Sequence, residues 1–339
     1  MKIKLLILAV ILIIFLFSVG MYKPKYKSDL NPSLKQKIAQ MIIVHVDNER
    51  DIEKFAEMGI GGYHIGWLEK EEYFKSMIQK IKELSKIPPF IATDLEGCLN
   101  PFSSFKKFPN ASDIKNESQA YLVGLEEGKT LKEFGFNMNF APVLDLEDKI
   151  WKCRAFKGNA SEIAKKGLAY IKGLKDSGIL SIAKHYPGKS MATKDPHKEF
   201  VYATITEEDL LPFETAFEFG VDGVMVSHVI ATGKVNSKGK PCSVSKEVIE
   251  DIKKKFDGLV ISDDISMLGL KKHYENDTEM WVDLFKAGND IIIISNYSAE
   301  KINKLIRTIE DAVKKGIISE KDIDNSVRKI LKIKKLFVD

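Results

Sequence analysis

Residues 257–267 read Asp257-Gly258-Leu259-Val260-Ile261-Ser262-Asp263-Asp264-Ile265-Ser266-Met267. The stretch is a short apolar run that stops abruptly at two adjacent carboxylates. Four or five apolar residues bounded by turn signals suit a strand buried on both faces. Asp263 and Asp264 are then expected where that strand emerges, at its C-terminal end. The pattern recurs along the chain: Pro89–Thr93 runs into Asp94, Ile179–Ala183 into Lys184 and His185, and Gly223–Ser227 into His228. Several buried strands, each delivering a polar or charged side chain at the same end, describe the active face of a (β/α)8 barrel. The first inference is an enzyme.

Working outward, eight strand-then-helix units can be counted. Strands are expected at 41–46, 61–65, 89–93, 136–140, 179–183, 223–227, 258–262 and 290–294. Helical patterns lie at 71–84, 120–134, 161–175, 207–219, 245–255, 278–286 and 301–314, and a last helix at 320–335 covers part of the barrel. Gly135, Gly178, Gly220, Gly258 and Gly288 are read as helix C-caps before the next strand. Strict alternation argues for a parallel sheet, and eight repeats for its closure into an α/β, TIM-type barrel.

The 339 residues suffice for one such barrel with insertions and an N-terminal extra. Net charge is +4 from 52 basic and 48 acidic residues, with no basic cluster interleaved with aromatics, so nucleic-acid binding has little support. Lys2 and Lys4 precede an uncharged run from Leu5 to Val19, which reads as a signal peptide or membrane anchor. The expected organisation is residues 1–21 as that segment, 22–33 as a linker and 34–339 as the catalytic barrel. The barrel would be exported, periplasmic or extracellular, with residues 5–21 as an anchor if they are not cleaved. Cys98, Cys153 and Cys242 match no metal framework. Cys98 and Cys153 fall on catalytic-face loops and a bridge between them fits an oxidising compartment, but unpaired thiols are expected.

The most distinctive loop runs Lys184-His185-Tyr186-Pro187-Gly188-Lys189-Ser190, then Asp195-Pro196-His197. The strand is expected to end at Ala183, with Asp195 and His197 on the flexible segment beyond. A carboxylate near an imidazole fixes its tautomer and favours its charged form, which tunes a general acid/base.

With these motifs the chain resembles the family 3 glycoside hydrolases, in particular the single-domain bacterial β-N-acetylglucosaminidases. Their loop reads Lys-His-Phe-Pro-Gly-His-Gly followed by Asp-Ser-His, and their seventh strand ends in Ser-Asp-Asp-Leu-x-Met. Further matches are Asn139-Phe140-Ala141-Pro142-Val143-Leu144-Asp145, Arg154-Ala155-Phe156, Ser227-His228-Val229-Ile230 and Ala287-Gly288-Asn289-Asp290. The resemblance spans roughly Ser33 to the C-terminus and implies the same barrel. It implies Asp263 as nucleophile, His197 as general acid/base and Asp195 as its partner, in a retaining double displacement. It also implies that Asp94, Arg154, Lys184, His185 and His228 hold sugar hydroxyls.

Plainer roles stand beside these. Asp264 is expected to cap the following helix and Asp145 to be structural, while His228 is read equally as a satisfied buried histidine. Trp281 is expected in the core, and Trp151 is the best candidate for a sugar-stacking platform. Two departures from the family border the site. Glu96-Gly97-Cys98-Leu99-Asn100 lacks the family's arginine, and Gly188-Lys189-Ser190 replaces Gly-His-Gly.

The sequence therefore predicts an exo-acting β-N-acetylglucosaminidase acting on oligosaccharides or peptidoglycan fragments, without metal or cofactor. Its partners are expected to be that substrate and, through the N-terminal segment, a membrane. The alternatives are a family 3 β-glucosidase, an N-acetylglucosamine phosphorylase, and a non-catalytic glycan-binding or envelope scaffold barrel.

Overall fold

The structure is a computed structural model, and it describes residues 32–337. The expected signal or anchor segment and nearly all of the linker lie outside the described residues. Among the described residues, no helix is long and apolar enough to cross a membrane.

In chain order the elements are α1 (Leu34–Gln40), β1 (Ile42–Val46), α2 (Ile52–Met58), β2 (Gly62–Ile65), α3 (Glu71–Leu84) and β3 (Phe90–Thr93). There follow α4 (Glu117–Phe134), β4 (Met138–Asn139), α5 (Ala160–Asp176), β5 (Leu180–Tyr186), β6 (Tyr202–Ile205), α6 (Glu207–Phe219) and β7 (Gly223–Val226). The chain ends with β8 (Ile230–Gly233), α7 (Lys246–Lys255), β9 (Leu259–Ser262), α8 (Leu268–Lys271), α9 (Asp277–Ala287), β10 (Ile292–Ile294), α10 (Ala299–Lys314) and α11 (Glu320–Lys334).

The strands run parallel in the order β10-β1-β2-β3-β4-β5-β7-β9. Register is set by pairs such as Val44 with Tyr63 and Val224 with Val260. A parallel bridge between Ile261 and Ile291 joins the ends, with Ser262 N donating to Ile291 O at 2.9 Å. Closure leaves the eight-stranded sheet without a free edge. β3, β7 and β9 are buried along their whole length, as strands covered by helices on one side and barrel interior on the other must be. All eight expected barrel strands are present.

Several expected boundaries shift. β4 shrinks to two residues, flanked by side-chain amides that tie it to its neighbours: Asn137 accepts from Ile91 N and donates to Pro89 O, and Asn139 accepts from Leu95 N and donates to Leu95 O. β5 does not end at Ala183 but runs on to Tyr186, so Lys184 and His185 project from the strand itself, with Lys184 N donating to Pro142 O and Leu144 N to Lys184 O. Gly135, Gly220 and Gly288 are left-handed caps and Gly178 follows Ser177 with φ +80°, but α7 closes on an extended Phe256 instead of on Gly258. A Cβ at Gly258 would lie 2.0 Å from the Phe256 ring, so packing demands this glycine. Helices α1, α2 and α8, and the small parallel pair β6–β8, were not expected, because runs of four to seven residues are shorter than a periodicity window.

Cys98 and Cys153 form a disulfide, with Cα atoms 6.1 Å apart. This corrects the reading of unpaired thiols: backbone bonds such as Ser112 N to Cys153 O bring the β3–α4 and β4–α5 loops together, which sequence spacing cannot show. Cys242 is free and buried.

Candidate active site

The C-terminal ends of the strands surround a cavity of about 280 Å³, just below the roughly 300–1,000 Å³ usual for ligand sites. Its walls include Asp94, Arg154, Lys184, His185, His197 and Asp263, so six of the eight expected site residues meet there.

One side is a buried chain of charge. Lys184, only 1% exposed, lies 2.5 Å from Asp94 Oδ1 and contacts Glu96 as well. Glu96 accepts two bonds from Arg154, at 2.6 and 3.0 Å. Burial pushes the carboxyls of Asp94 and Glu96 up, but their partners reverse it: Lys184, then the hydrogen bond from the His64 imidazole, holds Asp94 well below the usual range, and Arg154, then Lys184, holds Glu96 below it. Two cations and two anions thus cancel, with Lys184, Arg154 and Glu96 buried and Asp94 open to the cavity. His64 Nε2 is 2.8 Å from Asp94 Oδ2, and behind it His45 Nδ1 and His64 Nδ1 are 3.0 Å apart. Burial pulls His45 down to about 4, so it is neutral at pH 7.

His185 is oriented from below. Asp145, fully buried, accepts from His185 N and Nδ1 at 3.0 and 2.9 Å, and from Ser190 N and Oγ at 2.8 and 3.1 Å. A carboxylate only accepts, so Nδ1 carries the proton and Nε2 faces Arg154 Nη2 at 3.5 Å, the outer limit of a hydrogen bond. Asp145 is structural, as expected.

Asp263 stands at the end of β9, where its Oδ1 accepts from Asp264 N at 2.8 Å. Burial raises its carboxyl, but the imidazoles of His185, His228 and His197 draw it below the ordinary value, so it is ionised. Among the described residues, no cation lies within ion-pair distance of it. Asp264 does not cap α8, whose N-cap is Met267; its Oδ1 takes Ser266 N, Ser266 Oγ and Ser295 N, tying the turn after β9 to the end of β10.

Asp195 accepts from His197 N at 3.0 Å and from Nδ1 at 2.9 Å, which leaves Nε2 as the nitrogen free to exchange a proton. Burial raises the Asp195 carboxyl and these bonds to His197 outweigh it, keeping it low. Trp151 meets the His197 ring edge-on at 5.6 Å and carries the Arg154 guanidinium 4.7 Å above its own ring. The indole is a cavity wall, with one face taken by that guanidinium.

His228 is placed differently from the expected sugar ligand. It lies behind the cavity, 1% exposed, with Nδ1 2.7 Å from Ser243 Oγ and Nε2 3.0 Å from the Asp264 carbonyl. The carbonyl requires a proton on Nε2 and the serine hydroxyl then donates to Nδ1; burial lowers its affinity for a second proton. With both nitrogens engaged, it supports the Asp264 turn, which is the second of the two readings given for it. Trp281 is in the core and Trp67 is outside the cavity at 57% exposure.

Glu96 and His64 were missed as site residues. His64 sits one residue from the end of its strand, so the strand-end pattern that flagged Asp94 contained the signal. Glu96 carries no local signal, since its importance comes from two partners 58 and 88 positions away. The two departures also acquire roles. Lys189 turns away from the cavity to Asp209 and Thr204 O, and Ser190 holds Asp145. Leu99 is an apolar wall of the cavity, while Asn100 folds its own loop through Phe102 N and Lys106 O.

The model of the glycosyl hydrolase family 3 N terminal domain matches residues 33–333. The chain belongs to glycoside hydrolase family 3. It is 24% identical over 331 residues to the beta-hexosaminidase LpqI of Mycobacterium tuberculosis, covering 89% of this chain and 83% of that protein. It is 29% identical over 250 residues to a beta-hexosaminidase of Hydrogenovibrio crunogenus, covering 67% of this chain and 69% of that one. Among solved structures, a family 3 beta-N-acetylglucosaminidase from Paenibacillus sp. str. FPU-7 superposes with a TM-score of 0.78 at 26% identity, over 90% of this chain and 62% of its own. A family 3 member from Mycobacterium smegmatis shares the fold with a TM-score of 0.82 at 24% identity, over 89% of this chain and 97% of its own. The barrel is therefore the family's catalytic fold, and the protein is a glycoside hydrolase.

Proposed function

We propose that the chain is a retaining, exo-acting β-N-acetylglucosaminidase in which Asp263 is the nucleophile and His197, partnered by Asp195, the general acid/base. The observation that carries this reading is the state of the cavity's carboxylates. Asp94 is committed to Lys184 and His64, and Asp264 to Ser266 and Ser295, whereas Asp263 is ionised and free of any cation among the described residues. A free carboxylate at the barrel's centre is what attack on an anomeric carbon needs.

In the first step an Asp263 oxygen bonds to C1 as the glycosidic C1–O bond breaks. The electron pair leaves with the oxygen, which takes the proton on His197 Nε2. In the second, Nε2 takes a proton from water, the water oxygen bonds to C1, and the Asp263 carboxylate departs. Asp94, Lys184, Arg154 and His185 would hold the sugar's hydroxyls, and the small cavity fits one terminal residue. The preference for an acetamido sugar rests on the hexosaminidase names of the relatives and on the Asp195-Pro196-His197 loop. Peptidoglycan fragments would be the source if residues 1–21 export the chain, and an oxidising compartment would sustain the Cys98–Cys153 bond.

The test is turnover of 4-nitrophenyl β-N-acetylglucosaminide by the full chain, beside the glucoside, with and without phosphate. Turnover of the acetamido sugar, abolished by Asp263→Asn, is expected. Preference for the glucoside would overturn the substrate, acceleration by phosphate would make the enzyme a phosphorylase, and full activity in Asp263→Asn would overturn the mechanism.

A further inference from the structure

The loop that carries Asp195 and His197 does not rest on the barrel through side chains alone. Leu268 N donates to His197 O at 3.2 Å, Gly269 N to Pro196 O at 3.1 Å, and Lys272 Nζ to Lys198 O at 2.9 Å. The first N–H groups of a helix have no partner within it, and here α8 offers two of them to the two carbonyls around His197. α8 begins five residues after Asp263, and Asp264 stiffens the intervening turn through Ser266 and Ser295. One short piece of backbone therefore holds Asp263 at one end and the His197 loop at the other.

The contact leaves no room at Gly269. A Cβ there would stand 2.5 Å from Pro196 O and 3.0 Å from Glu199 O, both of them backbone atoms that no side-chain rotation can move. The glycine is not needed for the helix, where alanine is the better residue. It is needed for the approach of the loop.

We propose that Gly269 is a positioning residue that docks the His197 loop onto the segment following Asp263, setting the distance between proton donor and nucleophile. The inference rests on the roles given above to Asp263 and His197. Docking matters most where the leaving group must be protonated as it departs, and least where it departs unaided.

The test compares kcat/KM, which reports the first step, for phenyl and 2,4-dinitrophenyl β-N-acetylglucosaminides in the wild-type chain and in Gly269→Ala. Loss of a well-placed acid costs roughly 10²–10⁴-fold. Gly269→Ala is expected to lose at least about tenfold of that on the phenyl glycoside and almost nothing on the dinitrophenyl glycoside. Equal losses on both, or no loss on either, would overturn the proposal. Should Gly269→Ala fail to fold, Lys272→Met releases the same loop at Lys198 and is read by the same split between substrates. Amide exchange at Leu268 and Gly269 reads the docking without any activity: unchanged protection in Gly269→Ala overturns the latch. A wild-type chain inactive on both glycosides would instead count against the assigned roles of Asp263 and His197.

Discussion

Replacing both Cys98 and Cys153 by serine removes a cross-link between residues 55 positions apart. Closing a loop of that length in the unfolded chain is worth about 4 kcal/mol by the chain-entropy relation, with native-state distortion and residual unfolded structure reducing it. A barrel of about 300 residues unfolds with an entropy near 2.1 cal/mol/K per residue, or ~0.6 kcal/mol/K in total. The double variant should therefore melt up to about 7 °C below the oxidised wild type. Thermal melts followed by circular dichroism, with and without a thiol reductant, make the comparison. Reduced wild type should match the double variant, and reductant should leave the double variant unchanged. Activity below the melting range should be largely retained, because the Arg154–Glu96 pair still joins the same two loops. A double variant that melts within about 1 °C of the oxidised wild type would falsify the loop-closure argument.

Two further outcomes follow from buried charge. Lys184→Met leaves Asp94 and Glu96 facing each other with Lys184's compensation gone, and should cost about 3–5 kcal/mol in urea unfolding; a loss under about 1 kcal/mol would mean the pair does not rely on it. Lys334, fully buried at the opposite end of the barrel against Gln40 Oε1 and Gly61 O, is pulled by burial down to about 7. The unfolded chain holds that proton until near pH 10.4, so between these values it binds more protons than the folded one, and stability should rise with pH, by roughly 2 kcal/mol from pH 7 to 9. Lys334→Met should remove that rise relative to wild type, and parallel stability curves for the two proteins would refute the assignment.

What could be read from the chain alone was whatever is written locally. Buried strands announce themselves as apolar runs and helices as amphipathic ones, and the strand-end residues Asp94, Lys184, His185 and Asp263 share a face because parallel strands in one barrel must end together. The short helices α1, α2 and α8 and the small β6–β8 pair escaped, as did the extension of β5 through Lys184 and His185, because none of them leaves a periodic trace. Tertiary structure decided the partnerships. It joined Glu96 to Lys184 and Arg154, paired Cys98 with Cys153, turned His228 away from the cavity toward Ser243, and laid the His197 loop on Gly269. Each is a contact between segments far apart in sequence, chosen by which loops the closed barrel brings within hydrogen-bonding distance, and no spacing along the chain encodes that distance.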